Sequence, residues 1–474
     1  MNIKNTPTRN SDDLCFMSVE ELQGGYKTGA FSPVDVCKAA LARIDADDSV
    51  YNAMCLVDHK AALDAAQVSA KRWRQGVALG PIDGITATIK DIIPTKGWPT
   101  LFGSKTIDPA GPWNVDAPVV EKLRAAGAVI VGKTTTPEYG SKGVTENLLT
   151  GITRNAVNPD RTAGGSSGGA GVAAARGYAS LHVGSDGAGS IRIPASYNGI
   201  FGMKPTFGRV PIVPPSSVGT VAHFGPMTRS VSDAAYMMNV IATPDDRDWY
   251  GLPASNIDYV AALKDMSRAG ALTGVRIAYS RDLGYATVDP EVADICATAV
   301  QQFEGAGAMI EEINSPLEED PVWITDQLWF GAFLKITQNM SPETVLLMDP
   351  LQQKMFHETH DVLASTMFET NQARERMAQK LISLHQTYDF LITPTMPQTA
   401  FPTGQYNPWG SEKVSDWIKW SSFTYPFNLS QQPAVTCPCG YDRDGLPIGL
   451  QIIGRKFDDH KVLQIAKAFE SFTR

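Results

Sequence analysis

The sequence predicts an α/β protein, with a layered α/β/α core around a large mixed β-sheet and a mostly helical inserted lid region. Three observations lead there. Short apolar, strand-like runs alternate with helical periods through the first half of the chain. A strand–helix–strand pattern occupies 273–312, followed by a helical stretch at 320–386 rich in Met, Gln and aromatic residues. Buried strand material then returns as DFLITPT and IGLQIIG. At 474 residues the chain exceeds the size at which one core usually stops growing, so a large core with an excursion is expected.

Taken in order, Ser32 and Pro33 supply an N-cap and a first-turn proline for a helix near 33–45. An alanine-rich helix is expected near 59–75, and Ile85 to Ile89 reads as a buried strand ending at Lys90. Asp116 to Ala126 is amphipathic, with Gly127 closing it before the strand AVIVG. GAGVAAARGYA, after Gly168, reads as a helix of small residues suited to close packing. The strand SLHVG runs from it into Ser185-Asp186-Gly187-Ala188-Gly189-Ser190, and a closing helix is expected near 459–472. The chain thus divides into a helical N-terminal segment packed on the core (1–79), a core with glycine-rich loops (80–245), an α/β extension with the lid region (246–386) and a C-terminal return to the sheet (387–474).

A net charge of -9 argues against nucleic acid or an anionic membrane as the main partner. No apolar run reaches the roughly eighteen residues of a spanning helix. The start, MNIKNTPTRNSDD, lacks the apolar region of a signal peptide, and the expected location is cytoplasmic. Six cysteines (Cys15, Cys37, Cys55, Cys296, Cys437 and Cys439) include no CxxC pair and no accompanying His cluster. They read as reduced and structural; Cys437-Pro-Cys439, in an apolar strand-like run, reads as two small buried side chains. No metal site and no cofactor site are expected.

The chemistry concentrates between Gly164 and Pro205, where Ser166 and Ser190 sit in separate glycine-rich loops; Lys90 lies upstream in TATIKD. Glycine at this density is conformationally costly, and makes sense where backbone N–H groups converge on one small volume. A serine in a nest of N–H donors is the layout acyl transfer requires. Phosphate binding is the alternative for such loops, but neither G-x-x-x-x-G-K-[ST] nor a strand-borne GxGxxG with its later acidic residue is present. Gly164 to Gly168 satisfies G-x-S-x-G, yet that pattern needs a buried strand before it and AVNPDRTA is loop-like. Of the histidines, His357, His360, His385 and His460 lie in no catalytic-looking context, and His182 and His223 read as structural.

GITATIKDIIPTKGWPTLFGS, GKTTTPEYGSKGVTEN, TAGGSSGGAGVAAA, GSDGAGSIRIPASYNGIFGMKPTFGRVP, GPMTRSVSDAA and NLSQQPAVTCPCGYDRDGLPIGLQIIG follow one another in order. Together they resemble the amidase signature family of serine hydrolases, from about residue 18 to the C-terminus and most densely over 80–235. The resemblance implies that Ser190 is the nucleophile, Ser166 a bridging serine after a cis peptide bond, and Lys90 the base. It implies an oxyanion hole from the backbone N–H groups of Gly187, Ala188, Gly189 and Ser190. The implied activity is hydrolysis of a small apolar or aryl carboxamide, or a related anilide, carbamate, hydrazide or ester, through an acyl-enzyme and without a cofactor. The partner would be a small-molecule amide, neither nucleic acid nor membrane, with a homodimer left open. Two alternatives stand beside it: a glutaminase-type subunit of a tRNA-dependent amidotransferase, and a glycine-rich nucleotide-binding protein. The chain departs from the family pattern at Ala188, where a second glycine is usual, at Thr86, where proline is usual, and at Gln431, where glycine is common. The first is expected to narrow the pocket floor and the last to alter the acyl-pocket wall.

A lysine base must be uncharged, and moving its reference pKa of about 10.4 to near 7 takes roughly 4 kcal/mol. Burial at the end of an apolar strand supplies that, provided Asp91 faces the other way, as alternation along a strand dictates. Ser167 is expected to be a structural hydrogen-bonder, and Asp186 and Arg192 to be loop scaffolding. Aromatic residues gather at Trp323, Trp329 and Phe330 and at Trp409, Trp417, Trp420, Phe423, Tyr425 and Phe427. Two of them facing Ser190 would favour an apolar or aryl substrate group.

Overall fold

The computed structural model describes residues 14–358 and 363–473. The polar start of the chain and His360 lie outside the described residues. Strands are β1 (Met54–Val57), β2 (Thr86–Lys90), β3 (Val129–Thr134), β4 (Glu146–Asn147), β5 (Gly151–Ile152), β6 (Leu181–Asp186) and β7 (Phe201–Lys204). They continue as β8 (His223–Thr228), β9 (Arg276–Tyr279), β10 (Met309–Glu312), β11 (Phe390–Pro394), β12 (Ala434–Tyr441) and β13 (Pro447–Gly454). Eleven of them form one mixed sheet in the order β1-β3-β2-β6-β8-β7-β12-β13-β11-β9-β10, and β4 and β5 form a separate small hairpin.

Every residue of β2, β3 and β6 is buried, as expected of strands covered on both faces. β2 runs parallel to both β3 and β6, whereas β6 pairs antiparallel with β8. The C-terminal half is built on the long β12–β13 antiparallel pair, whose register shifts between Pro438 and Gly440. A proline cannot donate to the ladder, and the irregularity accommodates it. β1 adds an edge strand from a segment read as helical, antiparallel to β3 with its own register shift. One buried and three half-exposed residues carry no period to reveal it.

Local chemistry sets the helix starts. Ser32 and Asp35 form a reciprocal capping box at Pro33–Tyr51. In Gly168–Arg176, small residues let the helix approach the chain beside the sheet closely: a Cβ at Gly169 would lie 2.5 Å from the carbonyl oxygen of Ala53, the residue before β1. The helical stretch expected over 320–386 comprises Val322–Thr337, Pro342–Val345, Pro350–Glu358 and Ala364–Leu384. The six cysteines are all free; Cys296 and Cys439 bring their Sγ atoms within 4.0 Å. Among the described residues no helix is long and apolar enough to cross a membrane.

Candidate active site

Parallel pairing of Ile89 with Val183 sets the end of β2 beside the end of β6. The Lys90 side chain, fully buried, therefore meets Ser185 as well as the loop before Gly168–Arg176. Its Nζ lies 2.7 Å from Ser166 Oγ, 2.9 Å from Ser167 Oγ and 2.9 Å from Ser185 Oγ. Burial pushes the amine well below the usual lysine range, against the opposing charge of Asp186. Asp91 turns away and pairs with Lys133 at 2.8 Å.

Ser166 follows a cis bond from Gly165. Only glycine fits at 165, since a Cβ there would come within 2.7 Å of the Val144 backbone. Ser167 ties three strands of chain together. Its Oγ donates to the Ser185 carbonyl (3.0 Å) and accepts the Ser185 N–H (3.2 Å), while its N–H donates to the Ser190 carbonyl (3.1 Å).

The turn into Ser190 is held from below by a buried ion pair. Asp186 accepts the N–H groups of Gly189 (2.7 Å) and Ile191 (3.2 Å), two bonds from Arg192 (2.9 and 3.0 Å) and one from Asn428 (2.8 Å). Burial pushes this carboxyl up, but Arg192, Lys204 and Asn428 outweigh it and hold it well below the carboxylate range. Arg192 reaches on to the Thr424 carbonyl, Gln451 and Asn428. Both residues are scaffolding.

This geometry corrects the expected oxyanion hole. The Gly189 N–H is occupied by Asp186, because a left-handed glycine (φ 129°) folds it back onto the carboxylate. Among the described residues the N–H groups of Gly187, Ala188 and Ser190 meet no protein acceptor. Gly187 and Ser190 line a cavity of about 320 Å³ together with Ser166 and Ser185. Ser166 Oγ and Ser190 Oγ open onto this common space without hydrogen-bonding to each other.

Most of the cavity wall is apolar, including Ile92, Phe102, Tyr139, Phe224 and Trp329. The expected condition, two of the aromatic residues gathered in the sequence facing Ser190, is not met among the described lining. Trp329 alone of the residues singled out faces the cavity, with Trp417 stacked behind it at 4.9 Å. Trp420, Phe423, Tyr425 and Phe427 are core, and Trp409 is 61% exposed. Phe102 and Tyr139, missed in the sequence, both hold positive φ (54° and 52°), and nothing in their flanking residues marks that. Nor do Ala188 and Gln431 touch the cavity. The Ala188 methyl belongs to the apolar cluster around Trp329, and the Gln431 side chain spans from the Thr220 carbonyl to Lys456.

No histidine is among the described cavity lining, although His223 Nδ1 lies 3.2 Å from the Asp186 carbonyl. His182 is buried between Thr88 Oγ1 and the Ala179 carbonyl, and burial pushes it down to about 3. His223 is buried against the Val221 carbonyl, and His385 against that of Tyr388. Among the described residues no group of three His, Cys, Asp or Glu side chains could hold a metal ion.

A family model described as Amidase matches residues 35–463. An acylamidase of Rhodococcus erythropolis is 36% identical over 97% of this chain and 96% of its own length. A glutamyl-tRNA(Gln) amidotransferase subunit of Chloroflexus aurantiacus is 33% identical over 97% of each chain. Among solved structures, a bacterial aryl acylamidase of the amidase signature enzymes superposes with a TM-score of 0.89 at 28% identity, covering 97% of this chain and 96% of that one. A 6-aminohexanoate cyclic dimer hydrolase superposes with a TM-score of 0.87 at 26% identity, covering 97% of both chains.

Proposed function

The chain belongs to the amidase family of amide-hydrolysing enzymes, and on that footing we propose that it is a free-standing amidase using a Ser190-Ser166-Lys90 relay. Its substrate is a small apolar or aryl carboxamide, or a related anilide, carbamate, hydrazide or ester. The carrying observation is the Lys90 amine, buried and held 2.7 Å from Ser166 Oγ.

Burial favours an uncharged amine, and the hydroxyl shell accommodates one. Ser167 Oγ spends its proton on the Ser185 carbonyl, so it meets Lys90 as an acceptor. A neutral amine donates two protons, to Ser167 and Ser185, and its lone pair remains for the Ser166 hydroxyl. Substrate binding turns the Ser190 hydroxyl onto Ser166, since catalytic hydrogen bonds commonly tighten only in the complex. As Ser190 Oγ bonds to the carbonyl carbon, its proton passes to Ser166 and that of Ser166 to Lys90. The carbonyl oxygen takes the negative charge and faces the N–H groups of Gly187 and Ser190, each worth about 3 kcal/mol in such a role. The C–N bond then breaks as Ser166 protonates the leaving nitrogen and recovers a proton from Lys90. Water repeats the sequence on the acyl-enzyme and releases the acid.

The similarity to the Chloroflexus protein favours a second reading, a glutaminase component of an amidotransferase. Glutamine carries an α-ammonium and an α-carboxylate, and each needs a countercharge. Asp186 is the sole charged residue among the described cavity lining, and Arg192 already neutralises it. An uncharged substrate suits this wall better. Hydrolysis of a panel of anilides, alkyl amides, carbamates and esters, run beside glutamine, tests the choice. Turnover of neutral aryl or alkyl amides with glutamine inert is expected; turnover of glutamine alone would overturn it.

A further inference from the structure

A second cavity, of about 270 Å³, adjoins the catalytic one. Ile212, Pro215 and Ser216 line both, so a single loop carries the wall of each. Beyond that loop the second cavity is closed by Phe207, Trp249 and Tyr250. Its floor is preformed. Phe207 and Tyr250 pack with ring centroids 5.3 Å apart, Leu252 donates its N–H to the Gly208 carbonyl at 2.9 Å, and a Cβ at Gly208 would clash with the Tyr250 carbonyl oxygen. Asp248, the one charged residue there, is occupied: its carboxylate accepts the N–H groups of Ile212 and Tyr250, each at 2.9 Å. That pair of bonds fixes the shared wall to the far cavity, and what remains for a ligand is apolar. Trp249 stands 87% exposed at its rim. An indole left this far in water is unusual, and a ligand covering it recovers its burial.

Resting on the reading of Ser190 as nucleophile, we propose that this cavity is a distal subsite for an apolar or aryl arm of an elongated amide, carried over the 212–216 loop while the carbonyl sits at Ser190. The catalytic cavity alone is at the small end of ligand sites, about 300–1,000 Å³, and the second nearly doubles the room. The substrate class narrows to amides with two apolar ends, one reacting group being placed well inside the molecule.

Matched anilides test this: a short parent, one extended by a second ring on the amine side, and one extended on the acyl side. The ratio of kcat/KM, extended over parent, is measured for the wild type, Trp249→Ala and Tyr250→Ala, both altered only in the second cavity, with melting temperatures to confirm folding. In the wild type one extension raises the ratio, and the side that does so identifies which half of the substrate crosses the loop. Both variants should lower that ratio by about tenfold, the size expected for loss of one apolar contact surface. Extended and parent substrates falling in step, or a ratio unmoved in both variants, would overturn the subsite. Failure of the Ser190 reading would show differently, as absence of labelling by a short ethyl fluorophosphonate in every form of the protein.

Discussion

Lys90 Nζ and Ser166 Oγ lie 2.7 Å apart in the buried interior, with two further hydroxyls completing the amine's shell. Burial lowers the lysine pKa, so the base is present above that lowered value and lost by protonation below it. Hydrolysis should therefore rise with pH on the acid side and level off well under pH 10. Lys90→Met should lose several orders of magnitude at neutral pH.

The two serines should separate kinetically. Ser190→Ala removes the attacking atom, and both turnover and covalent labelling by a fluorophosphonate should vanish while the melting temperature holds. Ser166→Ala removes only the proton path, so slow labelling at Ser190 should persist. Full activity in Ser190→Ala would exclude its role.

Ser185→Ala deletes one hydroxyl from the Lys90 shell. One hydrogen bond is worth about 1 kcal/mol, so kcat should fall roughly tenfold or less with KM little changed. Ser167→Ala also breaks the tie to the Ser185 backbone and should lower the melting temperature as well. Equal melting temperatures for the two variants would contradict this division.

The Asp186–Arg192 pair is completely buried. Asp186→Asn leaves the guanidinium uncompensated, at a cost of about 3–5 kcal/mol in unfolding experiments. The folded carboxyl is depressed, so its contribution is whole above the usual carboxylate pKa of 3.8 and fades only as pH falls through the folded value. The stability gap between wild type and Asp186→Asn should stay constant from pH 7 to about 4 and close below.

Trp329→Ala should enlarge the catalytic cavity at the wall facing Gly187, where the indole lies 3.2 Å from the position of a Cβ. Bulkier acyl groups should gain in kcat/KM relative to acetyl; an unchanged preference would place the acyl group elsewhere.

What the sequence revealed of this site follows from where the information is local. The glycine loops, the strand before Lys90 and the direction of Asp91 depend on neighbours within a few residues, and alternation alone separates Lys90 from Asp91. The Lys90–Ser185 contact spans 95 positions and arises from parallel pairing of β2 with β6, which no short motif encodes. Gly189 has the composition of an oxyanion donor, yet the Asp186 side chain, three residues back, holds its N–H. The aromatic wall is hidden for the same reason. Trp420 and Phe423 share the composition of a pocket but lie fully in the core, whereas Phe102 and Tyr139 reach the cavity through left-handed backbone that side-chain composition does not betray.

The pH dependence of fluorophosphonate labelling at Ser190, compared between wild type and Lys90→Met, reaches the proton relay most directly. Wild type should label at a rate that climbs to a plateau well below pH 10, and Lys90→Met at a far lower rate that keeps rising in proportion to hydroxide. The same plateau in both proteins would contradict the assignment of the base.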